Sequence, residues 1–251
     1  MATSGAAFEH LLTRDKAPTF VALLALTALA WIVLVDMAAG MGDAAQAVVA
    51  WSPGYFAAMC VMWIVMMAGM MIPSATPAIL LFSALRRHAG ANASRDTALF
   101  AAGYLVAWSA FSLAATALQW ALTGTALLSG AMASEGGTLA GVLFIVAGAY
   151  QFSPLKTACL MKCRAPASFL VEHRRGGALG PLVMGMDHGL YCVGCCGPLM
   201  VLLFAFGVMN LLWVAALSAF VFAEKLFPGG RRLGQIGGAV MVGLGFVLLN
   251  V

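Results

Sequence analysis

Apolar residues in this chain gather into seven long runs instead of alternating with polar ones. The runs cover residues 19–37, 55–82, 97–122, 139–153, 182–206, 211–227 and 235–251. Most have the length of about 17–25 residues that a helix needs to cross a bilayer. The second is longer and carries Pro73 and Pro77, which predicts a kink. The fourth either stops at Pro154 or continues, bent, through Leu160. The fifth holds Gly194, Gly197 and Pro198, and unwinding there would free carbonyl oxygens, a device transporters use at binding sites. The pattern predicts an all-α polytopic membrane protein: a single transmembrane domain over residues 1–251, built as a bundle of about seven transmembrane helices.

Composition agrees. The chain is 63% hydrophobic and 9% charged, with a mean hydropathy of +0.99, more apolar than a soluble domain of this size needs. With so few charges, their placement reports orientation. Asp36 and Asp43 lie at or beyond the end of the first run, Glu135 precedes the fourth, and the link at 207–210 is uncharged. Arg86, Arg87 and Arg95 follow the second run; Lys156, Lys162, Arg164, Arg174 and Arg175 lie between the fourth and fifth; Lys225, Arg231 and Arg232 lie between the sixth and seventh. Every alternate link is basic and so is expected to face the cytoplasm. Arg14 and Lys16 put residues 1–18 and the N-terminus on the same side, and the first run is too long for a cleaved signal. The expected location is the bacterial inner membrane. The net charge of +4 gives no footprint for nucleic acid.

Candidate chemistry sits in the fifth run. Residues 184–200 read MGMDHGLYCVGCCGPLM. Met184, His188, Cys192, Cys195 or Cys196, and Met200 recur at steps of three or four, which puts them on one helical face. Ionisable groups in hydrocarbon persist where they face a protein interior, a cavity or an ion, and imidazole with thiolate suits soft and borderline transition metals. Asp187 is a candidate partner for an imidazole N–H or a ligand itself. The plain alternative is small buried cysteines filling helix contacts, an explanation that would have to hold several times on one face.

The second run adds Met59, Met62, Met66 and Met70 in one stripe, with Trp63, Met67 and Met71 beside it. Thioethers favour Cu(I) over harder ions, although methionine is also a ready core filler. Counting inward along this run and outward along the fifth puts Met70 and Cys195 at similar depth, so Met66, Met70 or Met71 could share a site with Cys192, Cys195 or Cys196. A third pair, Cys159 and Cys163, lies among Lys156, Lys162 and Arg164, which favour thiolate. Glu224 and Lys225 end the sixth run and read as a pair snorkelling to the inner interface, with Glu224 as a relay the alternative. His88 and His173 lie in basic links and are expected in solvent. The chain has no nucleotide-binding loop, phosphorylated-aspartate motif or HExxH.

Taken together, several stretches resemble a known family. They are Trp63, Met66, Met67, Met70, Met71, Pro73 and Pro77; the run from Tyr150 to Lys156 with Cys159, Cys163, Arg164 and Pro166; His188, Gly189, Tyr191, Cys192, Gly194, Cys195, Cys196, Leu199 and Met200; and Gly207 to Asn210 with Glu224 and Lys225. The chain is similar to the bacterial family of predicted metal-binding integral membrane proteins, known as a domain of unknown function, some of whose members are labelled copper chaperones. The resemblance runs from Tyr55 to the C-terminus and implies a metal role. Gly197 stands where many relatives carry tryptophan, which implies a more open site.

The expected function is therefore binding of a transition metal, Cu(I) first and zinc or iron next, and its transport or delivery across or within the membrane. Cys192, Cys195 and Cys196 are the expected thiolate ligands and His188 a further ligand, with Asp187 behind it. Met66, Met67, Met70 and Met71 are expected as weak transfer sites, and Cys159 and Cys163 as the cytoplasmic exchange site. Expected partners are the metal ion, the bilayer, and a metallochaperone or cuproenzyme assembly factor; oligomerisation is left open. Two rivals are a membrane thiol–disulfide oxidoreductase, because Cys192 and Cys195 have CxxC spacing, and a metalloenzyme subunit. The absence of a convincing general base beyond Asp187 weighs against an enzyme.

Overall fold

The computed structural model describes residues 3–40, 50–90, 92–125, 127–128, 132–134 and 136–250, with side chains from residue 17 onward. Asp43 and Glu135, used above for orientation, lie outside the described residues, as do the side chains of Arg14 and Lys16. Among the described residues ten helices follow one another: α1 (Thr3–Gly40), α2 (Pro53–His88), α3 (Ala93–Gly124), α4 (Gly137–Tyr150), α5 (Pro154–Arg164), α6 (Pro166–Glu172), α7 (Gly180–Met200), α8 (Leu203–Phe206), α9 (Leu211–Leu226) and α10 (Gly230–Leu249). Each of the seven apolar runs maps onto a helix. The extra elements are α5 and α6, in what reads as a basic link, and α8, a separate turn after α7. Five stretches are long and apolar enough to cross a membrane: Ala17–Gly40, Pro53–His88, Ala93–Gly124, Gly180–Phe206 and Gly230–Leu249. The pair α4 and α5, bent by 66° at its break, makes a sixth if counted as one span. At 16 residues, α9 falls short of the expected seventh.

Local chemistry sets the ends. Ser52 caps α2 by accepting from the Tyr55 amide at 3.2 Å, with Pro53 next in the first turn. Ser153 caps α5 by accepting from the Lys156 amide at 3.0 Å, followed by Pro154. The break after Tyr150 is thus written as Ser-Pro, and it turns α5 across the bundle towards α7. Asn210 caps α9 through the Trp213 amide at 3.2 Å.

The proline-bearing helices do not break where expected. α2 is helical through Pro73 and Pro77. Carbonyls beside the prolines take side-chain donors: Ser74 and Tyr104 hydroxyls donate to the Met71 carbonyl at 2.9 and 3.2 Å, and Ser218 donates to the Met70 carbonyl at 3.3 Å. α7 likewise stays helical from Gly194 to Met200 and is not unwound at Gly194, Gly197 and Pro198. Pro198 has no N–H for the carbonyl of Gly194, and the Tyr150 hydroxyl donates to that oxygen at 2.5 Å. One tyrosine thus replaces the missing bond and ties the end of α4 to α7.

Close packing fixes the rotation of α7. A Cβ on Gly185 would run into the carbonyl of Phe100, one on Gly103 would stand 2.8 Å from the amide of Met186, and one on Gly189 would stand 2.9 Å from the carbonyl of Tyr104. α3 and α7 therefore touch backbone to backbone, as small residues allow in membrane helices. α4 and α10 meet the same way at Gly141 and Gly245 and at Gly148 and Gly238. The core between α2, α3, α7 and α9 is filled by Met62, Trp63, Met66, Met67, Phe100, Trp108 and Phe204, all fully buried.

Lys156 and Glu224 form an ion pair of 2.7 Å between α5 and α9, both side chains only 2% exposed. Lys156 is thus an interior group and not part of an exposed basic link. Arg164 adds bonds to the carbonyls of Glu224 (2.5 Å) and Pro228 (3.1 Å). These contacts clamp the C-terminal end of α9 onto α5.

Two stability measurements follow, by unfolding the detergent-solubilised chain. Gly185→Ala should cost about 1–3 kcal/mol through overpacking, whereas Gly243→Ala, which meets nothing within 4 Å, should be neutral or slightly stabilising. Glu224→Ala should cost about 3–5 kcal/mol because it strands a buried cation, and a Lys156→Met/Glu224→Leu double variant should recover most of it.

Candidate metal centre

Three thiols from two helices converge. Cys163 of α5 and Cys192 and Cys195 of α7 have sulfurs within 4.8 Å of one another, and Cys163 and Cys195 are 3.8 Å apart. Two sulfurs sharing an ion at about 2.3 Å each lie no more than about 4.6 Å apart, so this spacing is close to that of a ligand set. All six cysteines are free thiols.

The sulfurs continue inward. The Cys192 and Cys196 sulfurs are 4.0 Å apart, and Cys196 Sγ lies 3.7 Å from the Met71 thioether of α2. Cys163, Cys195, Cys192, Cys196 and Met71 thus form a chain of soft donors from half-buried α5 through α7 into α2. Cys163 is the half-buried end; Cys192, Cys195 and Cys196 are fully buried. The helical register brings this about: Cys195 and Cys196 both donate to the Cys192 carbonyl, at 3.2 and 2.9 Å, which folds the three thiols over a single turn of α7.

Cys192 is the junction. Besides its sulfur neighbours, it contacts the Tyr104 hydroxyl at 3.0 Å and accepts from the Lys225 ammonium at 2.8 Å. The ammonium also donates to Ser74 Oγ at 3.1 Å. Lys225 and Glu224 therefore do not snorkel: they are 6% and 1% exposed and point into the bundle. The reason is register. Val214, Leu217, Val221 and Glu224 lie at steps of three and four, and Leu217, Val221 and Lys225 at steps of four, so both groups sit on the buried face of α9. That stepping is readable in the sequence and is the signal that finds Lys225. Tyr104 sits in a comparable stripe with Phe100 and Trp108, all buried.

The other expected residues are placed as follows. Cys159 is buried against α7, close enough that a Cβ on Gly194 would approach its sulfur to 2.7 Å, but it stands outside the three-thiol group. The cations expected to act on Cys159 and Cys163 are engaged elsewhere: Lys156 with Glu224, Arg164 with α9 carbonyls, and Lys162 with Glu172. The hydrogen bond from Lys162 holds the Glu172 carboxyl below the usual carboxylate range. His188 shares the buried face of α7, but its ring is enclosed by Phe169 of α6 and by Phe100 and Tyr104 of α3, with centroids at 4.9, 6.0 and 5.9 Å. Among the described residues, its Nδ1 has no hydrogen-bond partner. Asp187 turns outward to Arg175 at 3.3 Å and does not back His188. Met66, Met67 and Met70 are buried in the same core as Met71, and Met71 is the one whose sulfur meets a thiol among the described residues. His173 is bonded to Tyr191 at 3.3 Å and stacks on Phe169, so it is not solvated as expected. Gly197 borders an apolar recess of about 300 Å³ with Phe111, Leu143, Val146, Val193 and Pro198, so the space left by its missing side chain lies beside apolar groups and not thiols.

Residues 60–248 match the profile of the family described as PpoB2, copper chaperone. The chain belongs to that family. The matched stretch includes every sulfur in the centre described above. No curated protein and no solved structure matches the chain.

Thiol accessibility checks the arrangement. In a Cys60→Ser background, a brief maleimide pulse on the reduced chain, read by peptide mass spectrometry, should modify Cys163 well before Cys192, Cys195 or Cys196. Equal labelling of all four would contradict the burial order.

Proposed function

We propose that this copper-chaperone family member binds Cu(I) inside the bilayer and hands it along its sulfur chain. It would act as one transmembrane domain of the bacterial inner membrane with its N-terminus in the cytoplasm. The supporting observation is the convergence of Cys163 from α5 with Cys192 and Cys195 from α7 within 4.8 Å. Thiolates select soft ions, and the thioether of Met71 next to Cys196 tips the donor set towards Cu(I) over zinc or iron.

In this reading Cys163, Cys192 and Cys195 hold the ion first. Cys196 and Met71 take it next by ligand exchange, and Met66, Met67 and Met70 offer later neutral donors. Cys163, the half-buried thiol, receives the ion from a metallochaperone or gives it to a cuproenzyme assembly factor. Cys159 lies one helical turn away as a reserve thiol. His188 remains a candidate only if its aromatic enclosure opens, and Asp187 serves the fold through Arg175. A thiol–disulfide reading would now use Cys163 and Cys195, 3.8 Å apart, before Cys192 and Cys195.

Anaerobic titration of the reduced, purified chain with Cu(I) against a chromophoric competitor, alongside elemental analysis, tests this. Cys163→Ser, Cys192→Ser and Cys195→Ser should each weaken Cu(I) binding by about tenfold or more, while Asp187→Asn leaves it unchanged. Preference for zinc or iron over Cu(I) would replace the assigned ion. Copper binding unaffected by loss of Cys163 and Cys195 together would overturn the site.

A further inference from the structure

Among the described residues, no carboxylate pairs with the buried ammonium of Lys225. Its neighbour Glu224 points the other way, to Lys156. Among the described residues, the ammonium of Lys225 has as hydrogen-bond acceptors the sulfur of Cys192 at 2.8 Å and the hydroxyl of Ser74 at 3.1 Å. Ser74 gives its own proton to the Met71 carbonyl, so its oxygen is free to accept. A third group, the Tyr104 hydroxyl, meets the same sulfur at 3.0 Å. An ammonium in a water-poor interior is costly unless a negative charge faces it, and the groups nearest it that can carry one are the thiols of the cluster.

We infer that Lys225 is the counter-charge of the metal–thiolate centre, a positioning residue that makes an anionic sulfur complex tolerable inside the bundle. The inference rests on the Cu(I) reading given above. A monovalent ion held by two thiolates carries one net negative charge, and by three thiolates two. Little water is there to screen that excess; the single charge of the lysine cancels it for two thiolates and halves it for three. A metal-bound thiolate keeps lone pairs, so the bond from Nζ to Cys192 need not break when the ion arrives. The ammonium sits on Cys192, the thiol shared by the three-thiol group and the Cys196–Met71 step, so one fixed charge serves both ends of the exchange. α9 is anchored by the Lys156–Glu224 pair one residue earlier, which holds the Lys225 stem in place.

This role has an unusual sign pattern. Without the ion and with the thiols protonated, Lys225 is a buried charge facing no counter-charge, so its replacement by an uncharged side chain of similar volume removes a desolvation cost and is neutral or stabilising. With the ion, the same replacement removes the compensating charge. A merely structural lysine would move both quantities downward.

The test uses the full chain in detergent, reduced and anaerobic, with Lys225→Met, Lys225→Gln and Lys225→Arg. Cu(I) affinity is read by competition with a chromophoric chelator, and thermal unfolding is followed without added metal. Lys225→Met and Lys225→Gln should each lose about tenfold or more in Cu(I) affinity, with an unfolding midpoint equal to or above that of the wild type. Lys225→Arg, which keeps the charge, should retain most of the affinity. Lys225→Gln carries the test if the methionine variant fails to fold. The inference is overturned if either neutral variant keeps wild-type affinity, if Lys225→Arg is as weak as Lys225→Met, or if affinity and midpoint fall together in all three. A wild-type chain that binds no Cu(I) would instead remove the functional reading beneath it.

Discussion

The constraint on which this architecture depends is that polar groups buried in a water-poor interior must find their partners within the protein. Among the described residues a few buried atoms, His188 Nδ1 and the Gln151 amide among them, have no hydrogen-bond partner, but the demand is met at three points that place the helices. Pro198 removes a helix hydrogen bond, and Tyr150 reaches across from α4 to supply it. Lys156 enters the bundle on α5 and meets Glu224 on α9. Lys225 enters beside it and meets Cys192 on α7 and Ser74 on α2. Each solution joins two helices or three, so satisfying the polar groups also fixes where α5, α7 and α9 lie relative to one another. The thiol cluster sits where those three helices approach α2.

Glycine supplies the complementary half of the geometry. The apolar effect that drives soluble helices together is weak between membrane helices, and small residues that admit close backbone contact take its place. On α7, Gly185 and Gly189 lie against α3, which commits one side of the helix to that contact. Gly185, Gly189, Cys192 and Cys196 lie on one stripe at steps of four and three, so the same contact sets the rotation of the thiols, whose sulfurs meet Tyr104 of α3, Met71 of α2, Cys163 of α5 and Lys225 of α9. A bulky residue at Gly185 would rotate or displace α7 and carry Cys192, Cys195 and Cys196 with it. The backbone packing of α3 on α7 is in this sense part of the candidate metal centre.

Much of this was legible in the sequence, and the misses have physical causes. Hydropathy located every long helix, and steps of three and four put Met184, His188, Cys192, Cys195, Cys196 and Met200 on one face, all of them buried. Depth counting paired the right regions of the second and fifth runs, and Met71 with Cys196 is the outcome. A face is not a site, however. His188 lies one turn from Cys192, yet three rings, one of them on α6, enclose it. No local pattern announces which distant helix supplies such neighbours. Asp187 lies beside His188 in sequence, but adjacent residues on a helix diverge by about 100°, and it follows that divergence out to Arg175. Lys225 was misread for a different reason. A lysine in the last turn of an apolar helix ordinarily snorkels, and only its register with Leu217 and Val221 shows that it cannot.

The spacing of the sulfurs bears on how an ion would move. A bare Cu(I) ion crossing this interior would meet the fixed positive charge of Lys225 and be repelled. An ion that remains bonded to thiolates is instead part of an anionic unit that the same charge attracts. Neighbouring sulfurs at 3.8, 4.0 and 3.7 Å are near enough for an incoming donor to bond before the outgoing one leaves, so exchange along the chain would require no free cation. The ends of the path also differ in kind. Cys163 is a thiol on a half-buried residue of α5, whereas Met71 is a neutral thioether in the core. In the proposed reading an ion moving inward would trade charged donors for a weaker neutral one at the Cys196–Met71 step, so the transfer would need a tighter acceptor beyond Met71 to draw it on.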